Sequence, residues 1–61
     1  MNSIKELRTK LNMTQIEMAE CLGVRQSTVA MWESGKNMPR ADMLLKIARL
    51  LGCSIDDLFA A

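Results

Sequence analysis

Gly23 stands between two short stretches of helical periodicity, with almost no chain on either side to make a loop. Before it, Met18, Ala19 and Leu22 recur at the spacing of one helix face; after it, Val29 and Trp32 do the same. Two helices joined by so short a turn must cross steeply, and where they touch one side chain must be small. Ala19 is placed for that contact, and Gly23 supplies a residue free to adopt positive φ. Met18, Leu22, Val24, Val29 and Trp32 fill the wedge between the two helices. Any one of these positions is weak evidence, but together they have the spacing of a helix-turn-helix.

The rest of the chain supports an all-α reading with about five short helices and no strands. Ile4, Leu7 and Leu11 are the inner stripe expected of a first helix, which Asn12-Met13 interrupts. Thr14-Gln15-Ile16-Glu17 is a capping box that opens the second helix. The third runs from about Gln26 to Ser34, closed by Gly35-Lys36-Asn37, and Met38-Pro39 is extended. A fourth, about Ala41 to Leu51, buries Leu44, Ile47, Ala48 and Leu51 and stops at Gly52. Ser54 then resembles an N-cap for a short last helix with Ile55 and Leu58 inward.

Length and composition bound the rest. The 61 residues predict a single domain, 1–61, with an economical core, since a chain this short buries only about 60% of its unfolded surface. Trp32 and Phe59 are the only aromatics, a poor supply for a β-sheet. There is no apolar run long enough for a membrane span, and Met1-Asn2-Ser3-Ile4-Lys5-Glu6 is not a signal peptide. Cys21 and Cys53 have neither metal-ligand spacing nor a histidine to help them, so they read as reduced thiols and the protein as cytoplasmic, with no metal and no cofactor. Without histidine, a nucleophile–base pair, a carboxylate cluster or a phosphate-cradling glycine loop, the chain does not read as an enzyme. The net charge of +1 says little by itself. Its distribution says more: Arg25, Lys36 and Arg40 make the stretch after Gly23 locally basic, and Asp56 and Asp57 make the C-terminus acidic.

The third helix carries the functional signal. With Val29 and Trp32 facing in, Gln26, Ser27, Ala30, Met31 and Ser34 form the opposite stripe. An ordinary solvated face would carry lysine and glutamate; this one has amide, hydroxyl and small apolar groups that can press against base edges. A glutamine can pair with adenine through both ends of its amide, and an apolar side chain can meet a thymine methyl.

At this point the chain resembles the phage repressor and Cro-type helix-turn-helix family, XRE-like DNA-binding domains, over nearly all its length. The resemblance rests on Leu7-Arg8, Thr14-Gln15, Met18-Ala19, Leu22-Gly23-Val24, Gln26-Ser27-Thr28-Val29 and Trp32-Glu33-Ser34-Gly35-Lys36. It continues through Pro39, Leu44, Ile47-Ala48 and Leu51-Gly52-Cys53-Ser54. It implies a compact five-helix, lambda-repressor-like fold with the helix-turn-helix at helices 2 and 3. It implies base reading by Gln26, Ser27 and Met31, and phosphate positioning by Gln15, Thr28, Lys36 and Asn37, with Gln15 also bracing the reading helix. Arg8 and Glu33 match a family ion pair that joins the first helix to the end of the third.

Two departures stand out. The family often has serine or threonine where this chain has Arg25 and Arg40, at the starts of the third and fourth helices. Arginine is a poor cap there and opposes the helix dipole. The expected compensation is contact with DNA: Arg40 on a phosphate, and Arg25 on a phosphate or on a guanine.

Leu50 falls off the inner stripe of its helix and Phe59 ends the chain's apolar pattern, so the two are candidates for a dimer surface. The resemblance, whose members often pair through the C-terminal region, favours that reading. The resulting expectation is a sequence-specific transcriptional regulator, a repressor acting as a homodimer on palindromic double-stranded DNA. Half-sites about 34 Å apart would admit two recognition helices on one face of the duplex. No small-molecule effector is expected. Alternatives with the same fold are a restriction–modification controller or an antitoxin; an alternative of another class is a protein-interaction module without DNA affinity.

Overall fold

Thr14 and Ser54 illustrate how locally this fold is written. In the computed structural model, which describes residues 3–59, each begins a helix with a complete capping box. The Thr14 hydroxyl accepts from the Glu17 backbone N–H at 3.0 Å, and the Glu17 carboxylate accepts from the Thr14 N–H at 2.9 Å. Ser54 and Asp57 repeat the exchange at 3.1 and 3.0 Å. Each box supplies acceptors to two of the donors that a helix start leaves without intrahelical partners.

Five helices and no strand are present among the described residues: α1 Ser3–Lys10, α2 Gln15–Leu22, α3 Gln26–Ser34, α4 Ala41–Leu51 and α5 Ile55–Leu58. The all-α, five-helix expectation therefore holds. Residues 1–2 and 60–61 of the expected 1–61 unit lie outside the described residues. Helices α2, α3 and α4 each end on a glycine, and at Gly23 and Gly35 the reason is backbone geometry. Gly23 adopts φ 71°, and the Val24 N–H that follows donates to Ala19 O at 3.0 Å. Gly35 adopts φ 83°, and the Lys36 N–H donates to Met31 O at 3.0 Å. Both are left-handed closures in which the chain turns away while the last carbonyls keep partners.

The core is one cluster drawn from all five helices. Ile4, Met18, Ala19, Leu22, Val29, Trp32, Ile47, Ala48, Leu51 and Leu58 are buried, with Leu7, Met13, Val24, Met43, Leu44, Leu50, Cys53 and Ile55 packed around them. The most extensive helix–helix contact is between α2 and α3, the pair joined over Gly23. Ala19, with its single methyl, lies buried where a larger side chain would hold those helices apart.

Two expectations about the core need correction. Leu11 was expected on the inner stripe of α1 but is half exposed (50%). The helix stops at Lys10, and Asn12 turns the chain with a φ of 56°, so Leu11 leaves the helical phase that would have carried it inward. Leu44 is only partly buried, at the edge of the cluster. In the other direction, Pro39 is buried, although its linker position gave no reason to place it there.

Candidate nucleic-acid interface

Glutamate near the C-terminus of a helix sits against the negative end of the helix dipole and requires compensation. Glu33, in the last turn of α3, receives it from two other helices. Arg8 of α1 donates from Nε to Glu33 Oε2 at 2.6 Å and from Nη2 to Oε1 at 3.1 Å. This is the two-pronged geometry that makes guanidinium–carboxylate pairs strong and directional. Both side chains are nearly buried, at 8% and 5% exposure. The remaining prong, Arg8 Nη1, donates to Met13 O at 2.7 Å and so ties down the α1–α2 turn. The ion pair suggested by family resemblance is therefore present.

Beyond it the polar contacts continue toward the surface. Gln15, the first residue of α2, donates from Nε2 to Glu33 Oε1 at 2.9 Å. Gln26, the first residue of α3, donates from Nε2 to Gln15 Oε1 at 3.5 Å, the longest link. Arg8, Glu33, Gln15 and Gln26 thus form one line from the packed interior to the exposed start of α3. The crossing imposed by the Gly23 turn brings the N-termini of α2 and α3 close enough for the last link.

The exposed side of α3 carries the expected stripe. Gln26, Ser27 and Ser34 are exposed, while Ala30 and Met31 are half-buried. Val29 and Trp32, on the opposite side, are 0% and 4% exposed and anchor the helix. Met31 also has a partner: Asn37 Nδ2 donates to its sulfur at 3.2 Å, joining the loop after α3 back onto the helix. The other residues expected to position phosphate differ in exposure. Gln15 and Thr28 are half-buried; Lys36, Asn37 and Arg40 are exposed, as is Arg25. Arg25 and Arg40 occupy the N-cap positions of α3 and α4 and make no side-chain cap hydrogen bond, so the caps are missing as the sequence suggested. Of the apolar pair expected at a dimer surface, Phe59 is 44% exposed, whereas Leu50 is half-buried against the core.

The bond between Gln15 and Glu33 escaped the sequence reading, which took Gln15 toward phosphate and brace. Its only signal was the misplaced acid at the end of α3, which one arginine seemed to satisfy. No group of three metal-ligating side chains occurs among the described residues, and no described helix is long and apolar enough to cross a membrane.

Two short helices crossing over a left-handed glycine, the second with an uncharged polar stripe outward, define a helix-turn-helix DNA-binding module. Comparison with known proteins gives the same class: a family model described as helix-turn-helix matches residues 4–58. The chain belongs to that family, the DNA-binding helix-turn-helix transcriptional regulators. It is 46% identical over 56 residues to an uncharacterized HTH-type transcriptional regulator of Archaeoglobus fulgidus, covering 92% of this chain and 79% of that one. It is 39% identical over 51 residues to the cryptic phage CTXphi transcriptional repressor RstR of Vibrio cholerae, covering 84% of this chain and 46% of RstR. It is 37% identical over 57 residues to the transcriptional activator BcrR of Enterococcus faecalis, covering 93% of this chain and 28% of BcrR.

Proposed function

We propose that this protein is a sequence-specific repressor that binds a palindromic operator as a homodimer, with α3 in the major groove. The observation that supports this most is the outward stripe of α3, uncharged and polar, with Gln26 held at its leading end by Gln15. In this reading Gln26, Ser27 and Met31 meet base edges, and Arg25 meets a guanine or a phosphate. Gln15, Thr28, Lys36, Asn37 and Arg40 hold the backbone on either side. Leu50 and Phe59 lie at the contact between protomers, which spaces two reading helices by about 34 Å, one turn of the duplex. Repression follows from occupancy of promoter DNA in the cytoplasm, without catalysis and without a small-molecule effector. RstR, a repressor, supports the sign of regulation. BcrR, an activator, is the relative that makes the sign worth testing.

Selection of bound duplexes from a random pool tests the whole reading. Two inverted half-sites at one-turn spacing, bound with an affinity that falls steeply as salt rises, are the expected result. A single unpaired site removes the homodimer. Absence of any selected sequence, with affinity indifferent to salt, removes sequence-specific DNA binding and leaves the protein-interaction module.

A further inference from the structure

We infer that Glu33 is a specificity-determining residue that acts without touching DNA, by fixing which end of the Gln26 amide faces the base. The inference rests on the reading of Gln26 as a base-contacting residue, and it concerns what orients that residue.

A glutamine amide has a donor end and an acceptor end of nearly equal shape, and a rotation of 180° exchanges them. What an exposed glutamine offers to a base is therefore undefined unless a neighbour imposes an orientation. A second glutamine cannot impose one, because it can itself be turned. A carboxylate can, because it only accepts. Glu33 Oε1 lies 2.9 Å from the Gln15 amide nitrogen, and the two-pronged contact with the Arg8 guanidinium at 2.6 and 3.1 Å fixes the position of the carboxylate. Gln15 must therefore turn its NH2 toward Glu33 and its oxygen toward Gln26. That oxygen faces the Gln26 Nε2 at 3.5 Å. One Gln26 N–H is thereby directed inward, while the second N–H and Oε1 are left for a ligand. One donor beside one acceptor is the pattern complementary to adenine, whose N7 accepts and whose N6 donates. Guanine presents two acceptors, N7 and O6, at the same edge and is matched by two donors.

Replacing Glu33 by glutamine removes the acceptor-only end while keeping the shape. Gln15 can then donate to Gln26 as readily as accept from it. In the turned state Gln26 presents both N–H groups outward, which suits guanine. Glu33 is thus a positioning residue for the base pair that Gln26 reads.

The test is duplex selection with wild type, Q26A, E33Q and Q15A, with thermal melts run alongside. Q26A identifies the base pair that Gln26 reads. At that pair the wild type is expected to prefer adenine over guanine by about ten- to hundredfold, the worth of one good bidentate contact. E33Q is expected to reduce that preference to within about threefold, with the other positions of the site and the salt slope unchanged. Q15A leaves the Arg8–Glu33 pair intact and is expected to lose the same preference, so the inference remains testable even if E33Q fails to fold. Adenine preference retained in folded E33Q, or in Q15A, overturns the role of Glu33 while leaving Gln26 as the reader. A uniform loss of affinity in Q26A, with no single base pair relaxed, overturns the reading of Gln26 and this inference with it.

Discussion

Arg8 and Glu33, twenty-five positions apart in the chain, meet through two nearly buried hydrogen bonds of 2.6 and 3.1 Å. The pair locks α1 against the end of α3, and a third bond from Arg8 to Met13 O draws the α1–α2 turn into the same joint. Removing one partner leaves a charge with little water and no counter-ion. R8M or E33A alone is expected to cost about 3–5 kcal/mol, enough to unfold much of so small a domain. The double replacement R8M/E33L, which leaves neither charge behind, is expected to cost clearly less than the sum. Urea unfolding of the three variants checks this; strictly additive losses would mean that the two side chains do not act as a pair.

Glu17 makes stability depend on acid. The Thr14 backbone N–H, and then the Thr14 hydroxyl, hold its carboxyl below the ordinary value of 4.5. A carboxyl whose folded value is depressed stabilises the fold above its unfolded value, and that contribution disappears as pH falls through the folded one. The melting temperature of the wild type is therefore expected to exceed that of E17Q near neutral pH, with the gap closing below about pH 4.5. Melts followed by circular dichroism across that range read it directly. A gap that stays constant down to about pH 3 would remove the carboxylate from the account.

In the proposed reading, Arg25 and Arg40 set stability against DNA affinity. Neither side chain caps its helix, so R25S and R40S each add a missing acceptor and are expected to stabilise by about 0.5–1 kcal/mol. If each arginine meets a phosphate, each substitution also lowers the slope of log affinity against log salt by about one. If Arg25 instead reads a guanine, R25S relaxes one base pair and leaves the slope nearly unchanged. A double variant that is more stable and binds as before would take both residues out of the interface.

Phe59 offers the cleaner test of the proposed dimer, because Leu50 also packs against the core and its replacement would disturb folding. F59S is expected to raise the dimer dissociation constant by at least about tenfold, with little change in monomer stability. Sedimentation equilibrium over a range of protein concentrations measures it. An unchanged monomer–dimer balance would place the contact elsewhere.

Much of this molecule is legible in the chain because its helices are punctuated by strong local signals. The capping box at Thr14, the left-handed closure at Gly23 and the cap at Ser54 each depend on residues within a few positions of one another. The inward placement of Val29 and Trp32 follows from period alone. Leu11 was misread because periodicity does not mark where a helix gives way, and the left-handed turn at Asn12 uses a residue with no glycine signature. Pro39 was missed because burial of a linker residue depends on which surfaces it passes over. In the site, the opposing charges of Arg8 and Glu33 could be matched from the sequence. The bond from Gln15 to Glu33 could not, because it spans 18 positions and exists only at the angle at which α2 and α3 cross.

The two kinds of helix start found here divide the molecule by what a visitor would have to displace. At α2 and α5 two of the amide donors are already engaged by the chain itself, one by a hydroxyl and one by a carboxylate. At α3 and α4 no side chain occupies that role; the N-cap residue is an arginine in each, and Asp42 adds an acid to the first turn of α4. Two helix starts are thus closed by their own residues and two keep their backbone donors free of any side-chain cap, on a chain whose formal net charge is only +1.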